Sequence, residues 1–289
     1  MPILGSVGAG SGKGFGLTSG GPAYMVANGG TVSEVGAYKI HVFTSPGSFI
    51  VEETPDPALA YADYMVIAGK GGNAPSNRGT VAGGFREAVS SGGDWTGSPI
   101  ADPDGALQLS VQTYPVTVGA NGAPQPSQNT QGNPGTVSTF STITSAGGGG
   151  GGVGHYTQPV KSNPGRPGGS GGAGGGYPPN PAAGGGSGNQ PPVSPPQGNN
   201  GAWNGGGGAV TAATSSQGAG TAIAGGIANI GVPGPGTPGN PDLKYYAGGS
   251  GQGGSGDGNS PNAPGGGTDE AYGGSGGPGG IVLIRYRFK

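Results

Sequence analysis

The chain has no cysteine, so disulfide staples and thiolate chemistry are excluded and a fold must be held by packing and hydrogen bonds alone. Charge is scarce as well. Asp, Glu, Lys and Arg make up 8% of the residues and the formal net charge is −2, which leaves no basic stripe for DNA, RNA or an anionic membrane. Nucleic acid is therefore not an expected partner. The only histidines, His41 and His155, lie in different segments without an acidic neighbour, so neither a triad nor a metal-ligand spacing is available. There is no apolar run of roughly 18 residues to span a bilayer. Met1-Pro2-Ile3-Leu4-Gly5 also lacks the charged and apolar regions of a secretory signal, so if the protein works outside a cell the usual secretory route is not expected, and release by lysis fits that absence.

Glycine and proline are what the chain has in abundance. Its 75 glycines and 29 prolines in 289 residues exceed the roughly 25–30% above which an aperiodic chain is presumed disordered. Most of them fall in 146–280, in triplets such as Gly168-Gly169-Ser170-Gly171-Gly172-Ala173-Gly174-Gly175-Gly176 and Gly273-Gly274-Ser275-Gly276-Gly277-Pro278. A period of three is neither helical nor strand-like. It is the period of polyproline II, a conformation with no hydrogen bonds inside one strand, whose buried amides need partners on other strands. Glycine on two of three faces lets such rods approach until backbone bonds backbone. The expectation is a packed bundle of polyglycine II rods, set against the plainer reading of a flexible linker. The proline-rich Tyr177–Pro181 and Gln190–Pro196 share the backbone angles but cannot donate, so they belong at turns or on the outside.

Before the tract the pattern is that of strands. Tyr38–Phe43 and Ser48–Glu52 are β-branched and aromatic, and the Ser45-Pro46-Gly47 turn between them predicts a hairpin. Tyr64–Ala68 is a continuous apolar run suited to a strand buried on both faces. Weaker strands are expected at Gly83–Val89, Leu107–Val111 and Pro115–Gly119, the last bent or at an edge because of its proline. A single β-branched strand is expected over Thr136–Thr144. The apolar Ile281–Phe288 is expected to return and pair with the N-terminal strands. The fold class is thus all-β, a small antiparallel β-sandwich with an inserted polyglycine II bundle and almost no α-helix. Its parts are a glycine-rich attachment arm (1–37), sandwich strands (38–145), the bundle with its loops (146–280) and the returning strand (281–289).

Catalytic and cofactor motifs fail on inspection. Gly10-Ser11-Gly12-Lys13-Gly14 lacks the upstream glycine and the Ser or Thr of a phosphate loop. Asp102-Pro103-Asp104-Gly105 opens like a calcium loop without the distal glutamate and reads as a turn; Glu52-Glu53 and Asp269-Glu270 read as solvated pairs. No catalytic residue, metal site or cofactor is expected, and the protein is not expected to be an enzyme. Binding is the better reading. His155, Tyr156, Tyr177, Trp203, Tyr245, Tyr246 and Tyr272 stand beside turn residues, where loops between rods would carry them, and aromatic side chains there suit glycan or protein surfaces. Capping of rod ends is the plainer alternative. Ile3, Leu4, Phe15 and Leu17 are too few for a core and suit an arm docked on another protein.

In this order His41–Phe49, Asp63–Gly69, Gly83–Glu87, Val116–Gly119, Ser138–Ser141 and Gly279–Tyr286 resemble the glycine-rich domain of tailed-phage virion proteins, common in phages of marine bacteria including cyanobacteria. Lys70 departs from that pattern, which continues with glycine. The triplets are similar to the polyglycine II bundle of phage tail-tip adhesins, whose loops select a host receptor. The resemblance implies a virion location, in a tail fibre or other appendage. It also implies other virion proteins as partners through the arm, and a host outer-membrane protein or glycan as a partner through the loops. A homo-oligomer is expected, with a trimer one arrangement. A capsid decoration or adaptor subunit, whose loops touch neighbouring subunits, is the alternative.

Overall fold

The computed structural model describes residues 23–54, 60–74, 81–90, 97–126, 129–153, 163–175, 183–203, 205–210, 212–213 and 279–289, and these contain strands but no helix. In chain order the strands are β1 (Val26–Asn28), β2 (Thr31–Val35), β3 (Tyr38–Phe43), β4 (Gly47–Glu53), β5 (Tyr61–Ile67) and β6 (Phe85–Ala88). They continue with β7 (Leu107–Gln108), β8 (Gln112–Thr117), β9 (Ser138–Phe140), β10 (Ile143–Ser145) and β11 (Ile281–Arg287). Two antiparallel sheets result, ordered β1-β4-β8-β9-β10 and β2-β3-β11-β5-β6, with β7 paired to one end of β5.

The apolar runs are explained by double coverage. On β3, β5 and β11, one set of side chains (Phe43, Tyr64, Val66, Val282, Ile284) meets Phe49, Val116 and Phe140 of the facing sheet. The alternate set (Ile40, Met65, Ile67, Ile281, Leu283) forms a second buried cluster on the other side of the same strands. A strand covered on both faces has no reason to alternate. β11 does return to the N-terminal strands: Ile284 lies opposite His41 of β3 on one side and Tyr64 of β5 on the other.

Four local expectations change. β3 and β4 do not form a hairpin, because β2 and β11 occupy both edges of β3; residues 44–46 cross to the other sheet instead. The stretch expected as one strand over Thr136–Thr144 is two strands. Phe140 pairs with Ile143 across Ser141-Thr142, with Ser141 at φ 53°, a turn made without the usual glycine or asparagine. Pro115 sits in an interior strand, and β9 pairs β8 only at Val116 and Thr117, beyond the proline. Finally, β1 and β2 lie within the stretch 1–37 assigned to an arm, brought into the sheets by pairing with β4 and β3.

The body has two poles. At one, β5, β8 and β10 run straight on into 68–74, 118–126 and 146–153, while 81–84, 129–136 and 279–280 lead into β6, β9 and β11. At the opposite pole lie the approach to β1 at Tyr24-Met25, the Ser141-Thr142 turn and the last residues, where Phe288 donates its N–H to the Ala37 carbonyl at 2.9 Å.

Candidate functional site

The segments that continue the strands are tied together by a backbone network that repeats every three residues. Gly69 and Gly72 donate to the carbonyls of Thr136 and Asn133 at 3.1 and 2.8 Å. Gly148 and Gly151 donate in turn to Gly69 and Gly72 at 2.9 and 3.0 Å. One layer further on, Gly149 and Gly152 donate to Ser170 and Ala173, and then Gly171 and Gly174 to Asn199 and Ala202. Antiparallel neighbours keep the same step: Ala183, Gly186 and Asn189 donate to Gly175, Gly172 and Gly169, each at 2.8 Å. Each bond joins two different segments. The repeat is therefore in the lattice between segments, as amides without intrastrand partners require.

Glycine's role here is the absence of a side chain. Among the described glycines only Gly29, Gly30, Gly36 and Gly105 have positive φ, and none of these lies in the layer. In the layer, a Cβ on Gly71 would stand 1.9 Å from the Gly149 carbonyl oxygen and one on Gly150 would stand 1.8 Å from that of Gly132. Lys70, the departure from glycine, is accommodated in the segment 68–74: its carbonyl takes the Gly122 N–H at 2.8 Å and its own N–H reaches the Asn121 side chain at 3.2 Å.

Side-chain amides and hydroxyls close the places where no peptide is opposite. Ser138 Oγ, fully buried, accepts from Gly119 N at 2.9 Å and donates to the Ile67 carbonyl at 2.7 Å, joining the sheets where the layer begins. Gln197 accepts from Ala146 N at 2.7 Å and donates to Pro191 O at 2.8 Å. Asn199 donates to Ala209 O at 2.9 Å, and Asn200 accepts from Gly188 N at 2.8 Å. Sequence reasoning passed over these residues; the available signal was the Gln197-Gly198-Asn199-Asn200-Gly201 run, where amide side chains alternate with glycine, whereas Ser138 sits unmarked among β-branched residues.

The segments 163–169 and 170–175 lie side by side, since Gly172 and Gly175 donate to Arg166 and Asn163. The triplet run from Gly168 thus turns at Gly169-Ser170 instead of forming one long rod. The lattice also fixes where loops leave. Val153, Asn163, Gly175 and Ala183 are joined by successive backbone bonds (Asn163 N to Val153 O, Gly175 N to Asn163 O, Ala183 N to Gly175 O), and Gly174 donates to Ala202 at the same level. The connections after Val153 and Gly175, and the return at Trp203 where Ala202 and Gly205 exchange backbone bonds at 2.8 and 3.3 Å, thus lie at one end of the layer, the end away from the sandwich.

Of the sequence-predicted recognition residues, Trp203 is described: it is half-buried, bridges Gly174 through its backbone, and its indole Nε1 is buried without a hydrogen-bond partner. His155, Tyr156, Tyr177, Tyr245, Tyr246 and Tyr272 lie outside the described residues, as do Ile3, Leu4, Phe15 and Leu17. The proline segment around Pro191–Pro196 is largely exposed at the sandwich side of the layer, where Gln197 O accepts from Phe85 N at 2.8 Å.

The buried Asp63, Arg285 and Glu87 are engaged within the sandwich. Arg285 Nε and Nη2 donate to Asp63 Oδ2 at 2.9 and 2.6 Å, and Ser90 donates its N–H and Oγ–H to Oδ1 at 2.6 and 2.7 Å. Glu87 accepts the Ser98 N–H at 2.7 Å. The Asp102–Gly105 segment is a turn, with Asp104 N donating to Asp102 Oδ1 at 3.1 Å and Gly105 at φ 81°. Among the described residues no group of three His, Cys, Asp or Glu is placed to hold a metal ion.

These features define the class: an all-β protein of two antiparallel sheets that continue at one pole into a hydrogen-bonded glycine layer. The chain belongs to the glycine-rich domain family, whose match spans residues 44–287, from the link after β3 to the end of β11. No curated protein and no solved structure matches it.

Proposed function

We propose that this protein is a structural component of a bacteriophage particle, a tail fibre or other tail appendage, in which a layer of polyglycine II rods presents recognition loops to the host surface. The observation that carries the reading is polarity. The chain enters the sandwich at the pole opposite the layer, and the connections after Val153 and Gly175 and the return at Trp203 lie at the layer's far end. An arm at one end and loops at the other, on a frame held by backbone bonds, is the arrangement an adhesin needs. The rod assignment is supported by the three-residue step, the bonds made only between segments, and the absence of positive φ among the described layer glycines. A crystal structure with backbone angles near about −75° and +145° across 146–153 would support it, and a different conformation there would overturn it.

On this reading the partners are other virion proteins through the arm that includes Ile3, Leu4, Phe15 and Leu17, a host outer-membrane protein or glycan through the loops, and further copies of the chain. The test is adsorption. Phage or purified protein carrying Tyr156→Ala, Tyr177→Ala and Trp203→Ala should lose binding to host cells while the protein stays folded; unchanged adsorption refutes the recognition role. A second reading, a capsid decoration or adaptor subunit, is favoured by Trp203, whose half-buried indole and backbone bridge to Gly174 suit a cap on the layer. In that case the loops bury against neighbouring subunits, and the same substitutions impair particle assembly instead of adsorption.

A further inference from the structure

His41 lies on an interior strand of its sheet with no solvent exposure, its ring turned toward the facing sheet. It stacks on Tyr286 of β11 at 5.6 Å between centroids and meets Phe49 of β4 edge-to-face at 5.0 Å. Nδ1 is 2.7 Å from the Gly29 carbonyl oxygen and, in that contact, carries the proton and donates it. Nε2 is buried without a hydrogen-bond partner.

Gly29 and Gly30, at φ 115° and 62°, form the corner where the chain leaves β1 in one sheet for β2 in the other. Tyr286 supplies a second tie to the same corner, its hydroxyl accepting the Ala27 N–H at 3.1 Å. Two neutral rings from one sheet thus hold the crossover segment from inside. β1 and β2 are each the edge strand of their sheet, paired on one side only, and edge elements with few contacts open first.

We infer that His41 is an acid-sensitive latch on the β1–β2 corner, and that protonating its imidazole frees residues 26–35 from the sandwich while the other strands and the glycine layer stay in place. A second ring N–H would have no acceptor inside the core, and edge strands that swing away let the charged ring reach water. Burial lowers the His41 pKa below its ordinary value of 6.5, opposed by the Gly29 hydrogen bond and reinforced by the Lys39 ammonium on the same strand. Phe49 on β4 brings no charge, Tyr286 on β11 is itself held neutral by burial, and Glu34 on β2 and Glu52 on β4 act on Tyr286 from the rim. The direction follows: the open form takes up the proton near 6.5 and the latched form only at lower pH. Opening is therefore favoured as pH falls below that value, by up to about tenfold per pH unit until the latched ring itself titrates. This inference does not depend on the virion reading, since it uses only the sandwich.

The experiment is amide hydrogen exchange read by mass spectrometry on the full-length protein at pH 7 and pH 5, corrected for intrinsic rates. Peptides covering 26–35 should lose about tenfold or more of their protection at pH 5, whereas those covering β5 and β11 should not change. His41→Asn, which keeps a donor near the Nδ1 position, and His41→Phe, which fills the aromatic site, should each remove the pH response; His155→Asn should keep it. Equal protection of 26–35 at both pH values in the wild-type protein overturns the latch. So does a response that survives in the His41 variants, or a loss of protection shared by all the strands.

Discussion

The glycine layer makes its sharpest prediction at two positions that a composition count treats alike. Gly171 lies between three segments: a Cβ added there would be 1.9 Å from the Gly186 carbonyl oxygen and 2.8 Å from Gly201 N. Real Cβ contacts essentially never fall below 3.0 Å, so the neighbouring segment would have to move by about 1.1 Å. That neighbour holds two bonds of the lattice, Gly186 N to Gly172 O at 2.8 Å and Gly201 N to Gly186 O at 2.9 Å, and such a shift takes both out of range. Overpacking at about 1–3 kcal/mol, plus two buried amide pairs at about 1–3 kcal/mol each, puts Gly171→Ala on the order of 4–7 kcal/mol, comparable with the total stability of an ordinary domain. Gly184→Ala is the control. No atom lies within 4 Å of its added Cβ and its φ is not positive, so the change should be neutral or stabilise by about 0.5 kcal/mol through the unfolded chain. Urea unfolding of both variants, followed by circular dichroism, checks the pair. If Gly171→Ala unfolds within about 1 kcal/mol of the wild type, the close-packed lattice is refuted.

Other perturbations test the sandwich and its junction with the layer. Asp63→Asn weakens the acceptor of two Arg285 N–H groups and leaves a buried guanidinium without its carboxylate, which should cost about 3–5 kcal/mol in calorimetry; a loss under 1 kcal/mol contradicts the buried bridge. Ser138→Ala strips partners from Gly119 N and Ile67 O at once and should cost about 2–4 kcal/mol, with Ser138→Thr rescuing part of it if the γ-hydroxyl is what matters. Burial first, with help from Asp102, pushes the Tyr64 hydroxyl up to about 12. A tyrosine of the unfolded chain ionises near 10, so Tyr64 stabilises the fold below that pH, and its contribution, on the order of 2–3 kcal/mol, is lost as pH rises from 10 to 12. A Tyr64→Phe variant should lack that part of the alkaline loss in pH-dependent melting.

Much of this fold was legible because two periods coexist in one chain. The unbroken apolar run at Tyr64–Ala68 announced a strand covered on both sides and the apolar Ile281–Phe288 announced a returning partner for the N-terminal strands, and the two clusters flanking β5 and β11 show both strands covered on both faces. The turn at Ser141-Thr142 was not legible, since a left-handed serine between β-branched residues leaves no mark in composition. Nor was the crossing between β3 and β4. A Ser-Pro-Gly link is equally compatible with a hairpin, and what decides against it is that β11, more than two hundred residues away in sequence, takes the edge of β3. For the candidate site, the triplets disclosed the three-residue step but not its ends. Gly169-Ser170 reads like any other triplet, and the turn there is set by the depth of the layer and not by a local signal.

That depth follows from the sandwich. A segment with no hydrogen bonds of its own has no intrinsic length or register, and nothing in a glycine triplet says which neighbour it should face. In this protein the first segments of the layer inherit both from strands: 68–74 continues β5, 118–126 continues β8 and 146–153 continues β10, so their spacing and height are fixed before any glycine bonds another. Gly148 and Gly151 then bond Gly69 and Gly72, and each further layer, through 170–175 to 197–203, copies the step it is laid against. The sheets thus act as the template and the glycines as the material that can copy it, because only a residue without a side chain brings two backbones within hydrogen-bonding reach on several sides at once. A glycine-rich chain detached from such a template keeps its triplets and loses its reason to order.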